Sequence, residues 1–271
     1  EDVASAVEAA IHTAETELPT DVLTALGRAY EKEQNSAARG EYANIFANLR
    51  IAKERDVPIC QDTGLVVLYF TLPPEVAFSG ELYRAAAEGV RRATLSVPLR
   101  PNAVDPLSRE NSKTNCGAGM PAVHVVPGDT FSVTVFPKGA GSENMSQIKM
   151  MLPSEVSSIP DFVADVVRTA GARPCPPVVV GVGIGGTFDT AAALAKEALL
   201  EPIDSMDAFE QEICDKVNAL GIGALGLGGG TTALAVKVKR GACHTASLPV
   251  AVNIQCWCCR RAERRIGKNN L

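Results

Sequence analysis

Residues 65–72, LVVLYFTL, form an unbroken apolar run that stops at Pro73 and Pro74. The run has the length of a buried strand and falls far short of the roughly 20 apolar residues that span a bilayer. Before it the periodicity is helical. Val3, Val7, Ile11, Ala14 and Leu18 fall on one stripe, Val22, Leu26, Ala29 and Tyr30 on a second, and Tyr42, Ile45, Phe46, Leu49 and Ala52 on a third. Pro19 and Pro58 bracket this helical lead-in.

After the run the pattern is mixed. Residues 82–93 read as a helix, and 122–126 and 131–136 as two strands joined in a hairpin across Gly128-Asp129. Residues 178–182 read as a buried strand leading through a glycine turn into a helix over 187–200, and a further helix is expected over 204–220. The stretch 232–239 alternates as a strand with one wet face, and 248–256 is a last apolar strand. No internal repeat or linker interrupts the chain. The expectation is an α+β (mixed α/β) chain forming one domain over 1–271, with a helical lead-in over 1–57 and a core over 58–271.

The formal charge of −5, from 26 Lys and Arg against 31 Asp and Glu, argues against general nucleic-acid binding. No apolar stretch suits a membrane span, and the EDVASAVEAA start carries no secretory pattern, so a cytoplasmic address is expected. Arg260, Arg261, Arg264, Arg265 and Lys268 cluster near the end, as a solvated helix face or as a docking edge for a partner.

Eight cysteines among 271 residues are too sparse for a disulfide scaffold. Three stand out by context. Cys60 lies in VPICQDTGL between a helix-ending proline and the strand from Leu65, Cys175 in RPCPPVVVGVG just before a strand, and Cys256 ends LPVAVNIQC. Cys116, Cys214 and Cys243 sit in a glycine loop, a helix and a turn. A zinc ribbon would need paired cysteines at short spacing twice over, and only Cys256-Trp257-Cys258-Cys259 is close. A ferredoxin-type run is also absent. A cluster held by three scattered cysteines stays open, and spacing alone does not decide it. The glycine run GVGIGGT has no following lysine and no acidic ribose partner in the expected place, which weakens a nucleotide site.

The motifs PICQDTG (58–64), RPNAVDPL (100–107), NCGAGMP (115–121), PKGAGSENMS (137–146), PPVVVGVGIGGTFDTAAALAKEAL (176–199), GLGGGTTALAVKV (226–238) and HTASLPVAVNIQCWCCRRA (244–262) occur in one order. In that order they resemble the α subunit of class I iron–sulfur hydro-lyases, the family of two-subunit fumarase and L(+)-tartrate dehydratase. The resemblance covers nearly the whole chain. It implies a cavity holding a [4Fe–4S] cluster on Cys60, Cys175 and Cys256, with one iron open to substrate. It further implies Asp62 and His244 as catalytic groups and Gln61, Arg100 and Gly139 as contacts to a small dicarboxylate. Ala140 stands where the family's KGGGS loop has its middle glycine.

By that resemblance the chain is expected to hydrate fumarate reversibly to malate, with tartrate dehydration as the alternative. A non-catalytic cluster carrier or redox sensor is the alternative of another class. Single-chain relatives continue into a second domain, so the resemblance implies half an active site, completed by a β subunit in an α2β2 assembly.

Overall fold

The computed structural model describes residues 2–267. Packing divides the chain into two compact units, one from Glu1–Pro19, Asn48–Ala140 and Arg260–Leu271, the other from Thr20–Ala47 and Gly141–Cys259.

In the first unit the apolar run becomes β1 (Leu65–Leu72), a central strand flanked by β2 (Ala122–Pro127) and β3 (Ser132–Lys138), with β8 (Ala262–Arg265) at one edge. β2 pairs with β1 in parallel and β3 pairs with it antiparallel, so the expected hairpin does not form. The two strands exist, but β1 lies between them. The nearly continuous burial of β1 demands partners on both sides, and Gly128 carries the connection across its end by donating its amide to the Leu72 carbonyl at 3.0 Å. Helices α1 (Val3–Thr16) and α4 (Gly80–Ser96) supply Val7, Ile11, Leu82, Ala86 and Val90 to the core with Leu68, Phe70, Val133 and Val135. Asp2 starts α1 by accepting the Ser5 amide at 2.8 Å, the expected use of an aspartate before a helix.

The second unit has a sheet ordered β4 (Gln147–Met151), β7 (Leu248–Gln255), β5 (Val178–Ile184), β6 (Ala233–Arg240). Val178, Val180 and Val182 of β5 pack with Val163 and Val167 of α6 (Ile159–Ala170) and Ile213 and Val217 of α8 (Ala208–Asn218). The alternate residues Gly181 and Gly183 lie on the other face, under α7 (Phe188–Ala198). A Cβ at either position would come within 2.1 Å of a carbonyl oxygen of α7, Ala195 and Ala191 respectively. The glycines of GVG therefore serve close helix–sheet packing. Helices α2 (Thr20–Lys32) and α3 (Ser36–Arg55) complete the lead-in, with the division between units falling inside α3. Helix and strand are thus mixed as the α+β reading expected.

Three departures are local. The helix expected over 204–220 starts only at Ala208, because Asp207 and Glu210 close a capping box there. Helix α6, strand β4 and the one-turn helix α5 (Ala140–Glu143) are additional elements. Residues 262–265 of the basic tail form a strand rather than a helix face, and Arg260, just before it, is 1% exposed. Lys268 of that tail lies outside the described residues. Among the described residues no helix is long and apolar enough to cross a membrane.

Candidate functional site

Five of the expected site residues belong to the first unit, and the backbone brings them to one place. The loop 57–64 between α3 and β1 carries Cys60, Gln61 and Asp62. It is tied down by Asn48 Nδ2 donating to the Ile59 carbonyl at 2.9 Å and by the Ile59 amide donating to the Glu15 carbonyl at 2.8 Å. Gln61 is exposed, while Cys60 and Asp62 are half-buried. The Asp62 carboxylate accepts the Gly64 amide on Oδ1 at 3.0 Å and the Ala140 amide on Oδ2 at 2.9 Å, with Asn102 Nδ2 at 3.5 Å from Oδ1.

Gly139 explains why this approach is possible. A Cβ there would sit 3.1 Å from Asp62 Oδ2, tighter than nearly all real contacts. Ala140 tolerates its methyl group because it is exposed, and it retains the amide that holds Asp62. The replacement of the family's middle glycine thus leaves this contact intact.

Arg100 is exposed, but its main chain is fixed to the same loop. Its amide donates to Thr63 Oγ1 at 3.1 Å, and its carbonyl accepts from Thr63 Oγ1 at 3.3 Å and Asn115 Nδ2 at 3.2 Å. Thr63 and Asn115 are buried, and Asn115 Oδ1 also accepts the Asn102 amide at 2.6 Å. These two small polar residues set the base from which the Arg100 side chain extends. Sequence inspection passed over both, although each stands inside a motif.

Cys175 and Cys256 belong to the second unit, at the same end of its sheet. Cys175 precedes β5, is exposed, and has a φ of +54°, a left-handed conformation that costs energy with a side chain present. Its carbonyl accepts the Trp257 amide at 3.2 Å, which brings the turn after β7 against it. Cys256 is half-buried, and its Sγ lies 3.7 Å from the Cys258 carbonyl. The preceding Gln255 is fully buried and accepts from Ser142 Oγ at 3.2 Å, so PKGAGSENMS shapes this turn through a serine.

His244 is placed elsewhere. It precedes β7 whereas Cys256 follows it, and an eight-residue strand separates them, roughly 25 Å by strand rise. There His244 lines a cleft of about 560 Å³ with Gly186, Thr187, Phe188, Cys243 and Ser247. Its Nδ1 accepts the Ala246 amide at 3.1 Å, leaving Nε2 to carry the proton of the neutral ring.

The remaining cysteines differ in kind. Cys214 is buried in α8 and its thiol is pushed up to about 11 by burial, which keeps it a protonated core group. Burial also raises the Cys116 thiol, and Cys258 and Cys259 are buried. None of the eight is in a disulfide. Within neither unit do three or more His, Cys, Asp or Glu side chains among the described residues gather as a metal site.

A family model described as fumarate hydratase (Fumerase) matches residues 4–265, and the chain belongs to that hydro-lyase family. Its relatives narrow the comparison. A protein of Methanocaldococcus jannaschii bearing the provisional name L(+)-tartrate dehydratase subunit alpha is 46% identical over 272 residues, covering 96% of this chain and 94% of that one. Proteins named L(+)-tartrate dehydratase subunit alpha from Escherichia coli (strain K12) and Shigella boydii serotype 4 are each 33% identical, covering 91% of this chain and 84% of theirs.

Proposed function

We propose that the chain is the α subunit of an iron–sulfur hydro-lyase acting on a small dicarboxylic acid, with L(+)-tartrate, which loses water to give oxaloacetate, as its substrate. The observation that carries this reading is that the loop bearing Gln61 and Asp62 is hydrogen-bonded through Asp62 to the Ala140 amide beside Gly139 and through Thr63 to the main chain of Arg100. The names of the relatives move the substrate from fumarate, expected from the motifs alone, to tartrate.

The residues fit a [4Fe–4S] cluster. Cys60, Cys175 and Cys256 each lie in a turn at the end of a strand and reach the surface, unlike the buried Cys214, Cys258 and Cys259. Thiolates are donors suited to iron and sulfide. When bound, the cluster supplies a Lewis acid for the leaving hydroxyl oxygen. Arg100 clamps a substrate carboxylate with its planar fork, and the Gln61 amide donates to the same anion. Asp62, already oriented by Gly64 and Ala140, accepts a hydrogen bond from the substrate hydroxyl. His244, at the far end of β7, is assigned no step.

The relatives are named as alpha subunits, so the reading includes a β subunit that supplies the base for the carbon-bound proton, in an α2β2 enzyme. Fumarate hydration is the second reading, favoured by the description of the family model. A cluster carrier or sensor has no use for the Arg100 clamp. The test reconstitutes the chain anaerobically and assays tartrate and fumarate separately, with and without the β subunit. Activity on tartrate only in the mixture is expected. Equal rates from the chain alone overturn the two-subunit reading, and activity confined to fumarate overturns the substrate. Iron and sulfide content should collapse in Cys175→Ser and stay whole in Cys214→Ser.

A further inference from the structure

The loop that carries Cys60, Gln61 and Asp62 is gripped from beneath by a buried ion pair. Arg260 is 1% exposed and Glu15 is fully buried. The guanidinium divides its donors: Nη1 reaches Glu15 Oε2 at 2.5 Å, and Nη2 reaches the Asp62 carbonyl at 2.9 Å. Glu15 takes hold of the same loop through its own backbone, where its carbonyl accepts the Ile59 amide at 2.8 Å. The two contact points, Ile59 N–H and Asp62 C=O, stand on either side of Cys60 and Gln61. Burying both charges costs several kcal/mol per ion before any attraction is counted, and an apolar pair of equal volume would often be as stable or more so. Burial pushes the Glu15 carboxyl up to about 7 against the pull of Arg260. Stability alone does not account for such a pair at this place.

We propose that Arg260, braced by Glu15, is a positioning residue: it fixes the main chain of the 59–62 loop so that the Asp62 carboxylate stays in register with Gly64 and Ala140. The action runs through Asp62, whose Oδ1 and Oδ2 accept those two amides. The catalytic part of the inference rests on the hydro-lyase reading above, whereas the structural part stands without it.

The test uses the full chain. In Glu15→Leu/Arg260→Met the packing volume is kept while the hold on the Asp62 carbonyl is lost. Hydrogen exchange, measured without any cluster, should accelerate about tenfold at the Gly64 and Ala140 amides while the Val133 and Val135 amides of β3 keep their rates. Arg260→Lys keeps the charge beside Glu15 but lacks the fork that serves two acceptors, and it should give the same local pattern if the double variant fails to fold. In the reconstituted enzyme Arg260→Lys should lower kcat about tenfold or more, and that loss should disappear in an Asp62→Asn background. Unchanged exchange at Gly64 and Ala140 in the folded variants overturns the proposal. A kcat loss that persists undiminished in Asp62→Asn overturns the route through Asp62. If the wild type hydrates or dehydrates neither acid, the hydro-lyase reading fails, and the exchange experiment still decides whether the pair holds the loop.

Discussion

Each unit holds a buried carboxylate paired with a cation, and the two pairs are built differently. In the second unit Glu210 meets Lys237 Nζ at 3.0 Å, and its two oxygens also accept the Asp207 amide at 2.9 Å and the Val238 amide at 2.8 Å. The pair doubles as the cap of α8 and the fastening of β6. In the first unit Glu15 Oε2 meets Arg260, while Glu15 Oε1 has no hydrogen-bond partner among the described residues. Arg260 meanwhile gives one of its two terminal nitrogens to the Asp62 carbonyl. A buried carboxylate surrounded by donors supports the fold. One left short of donors gives up stability, and its cation is used elsewhere.

The largest effect that separates the pairs should come from Glu210→Ala. It strips the largely shielded Lys237 of its counter-charge, leaves the Val238 amide without its acceptor and opens the capping box, so unfolding by urea should show a loss of about 3 kcal/mol. Activity per folded molecule should hold. A loss below about 1 kcal/mol would erase the distinction drawn between the pairs.

Next is the pH response of the first pair. The Glu15 carboxyl is pushed up from 4.5 to about 7 by burial, so between those values the folded chain holds more proton than the unfolded one. Stability from this group is therefore full below pH 4.5 and falls as pH rises to 7, by at most about 3 kcal/mol. Subtracting the urea-unfolding free energy of Glu15→Gln from that of the wild type, pH by pH, should give a difference that declines across this window. A flat difference would mean that Glu15 stays ionised throughout and that the two pairs are alike.

The smallest effect sharpens the comparison on the other side. Asp207→Ala removes only the side chain that accepts the Glu210 amide at 2.8 Å, and should cost about 1 kcal/mol. It should leave exchange at Gly64 and Ala140 untouched. Faster exchange there would show that the second pair is not confined to its own helix and strand.

What the sequence disclosed follows the range of the interaction. β1, β5 and β7 were legible because burial on both faces writes a continuous apolar run. The turn at Gly128-Asp129 misled because a hairpin signal is local, while the competing partner β1 lies some fifty residues back. Helix α6 carries a plain stripe of Val163, Val166, Val167 and Ala170 and could have been read. Within the site, motif order singled out Cys60, Asp62, Arg100 and Gly139, whose spacing alone says little. Arg260 looked like one of a run of surface arginines. Its partner Glu15 is 245 positions away, and no local pattern joins them.

The first sheet has a consequence for the order in which the chain can be completed. β3 waits for β8, residues 262–265, before that edge is paired, and Ile266 is part of the core around α1. During synthesis α1 and β3 therefore emerge long before the last strand that covers them, while residues 141–259 can gather their own sheet in the interval. The unit made first is finished last. Its open strand edge and apolar helix face depend in that interval on chaperones or on speed, and a ribosome stalled just short of residue 260 would release a chain whose second sheet is whole and whose first cannot close.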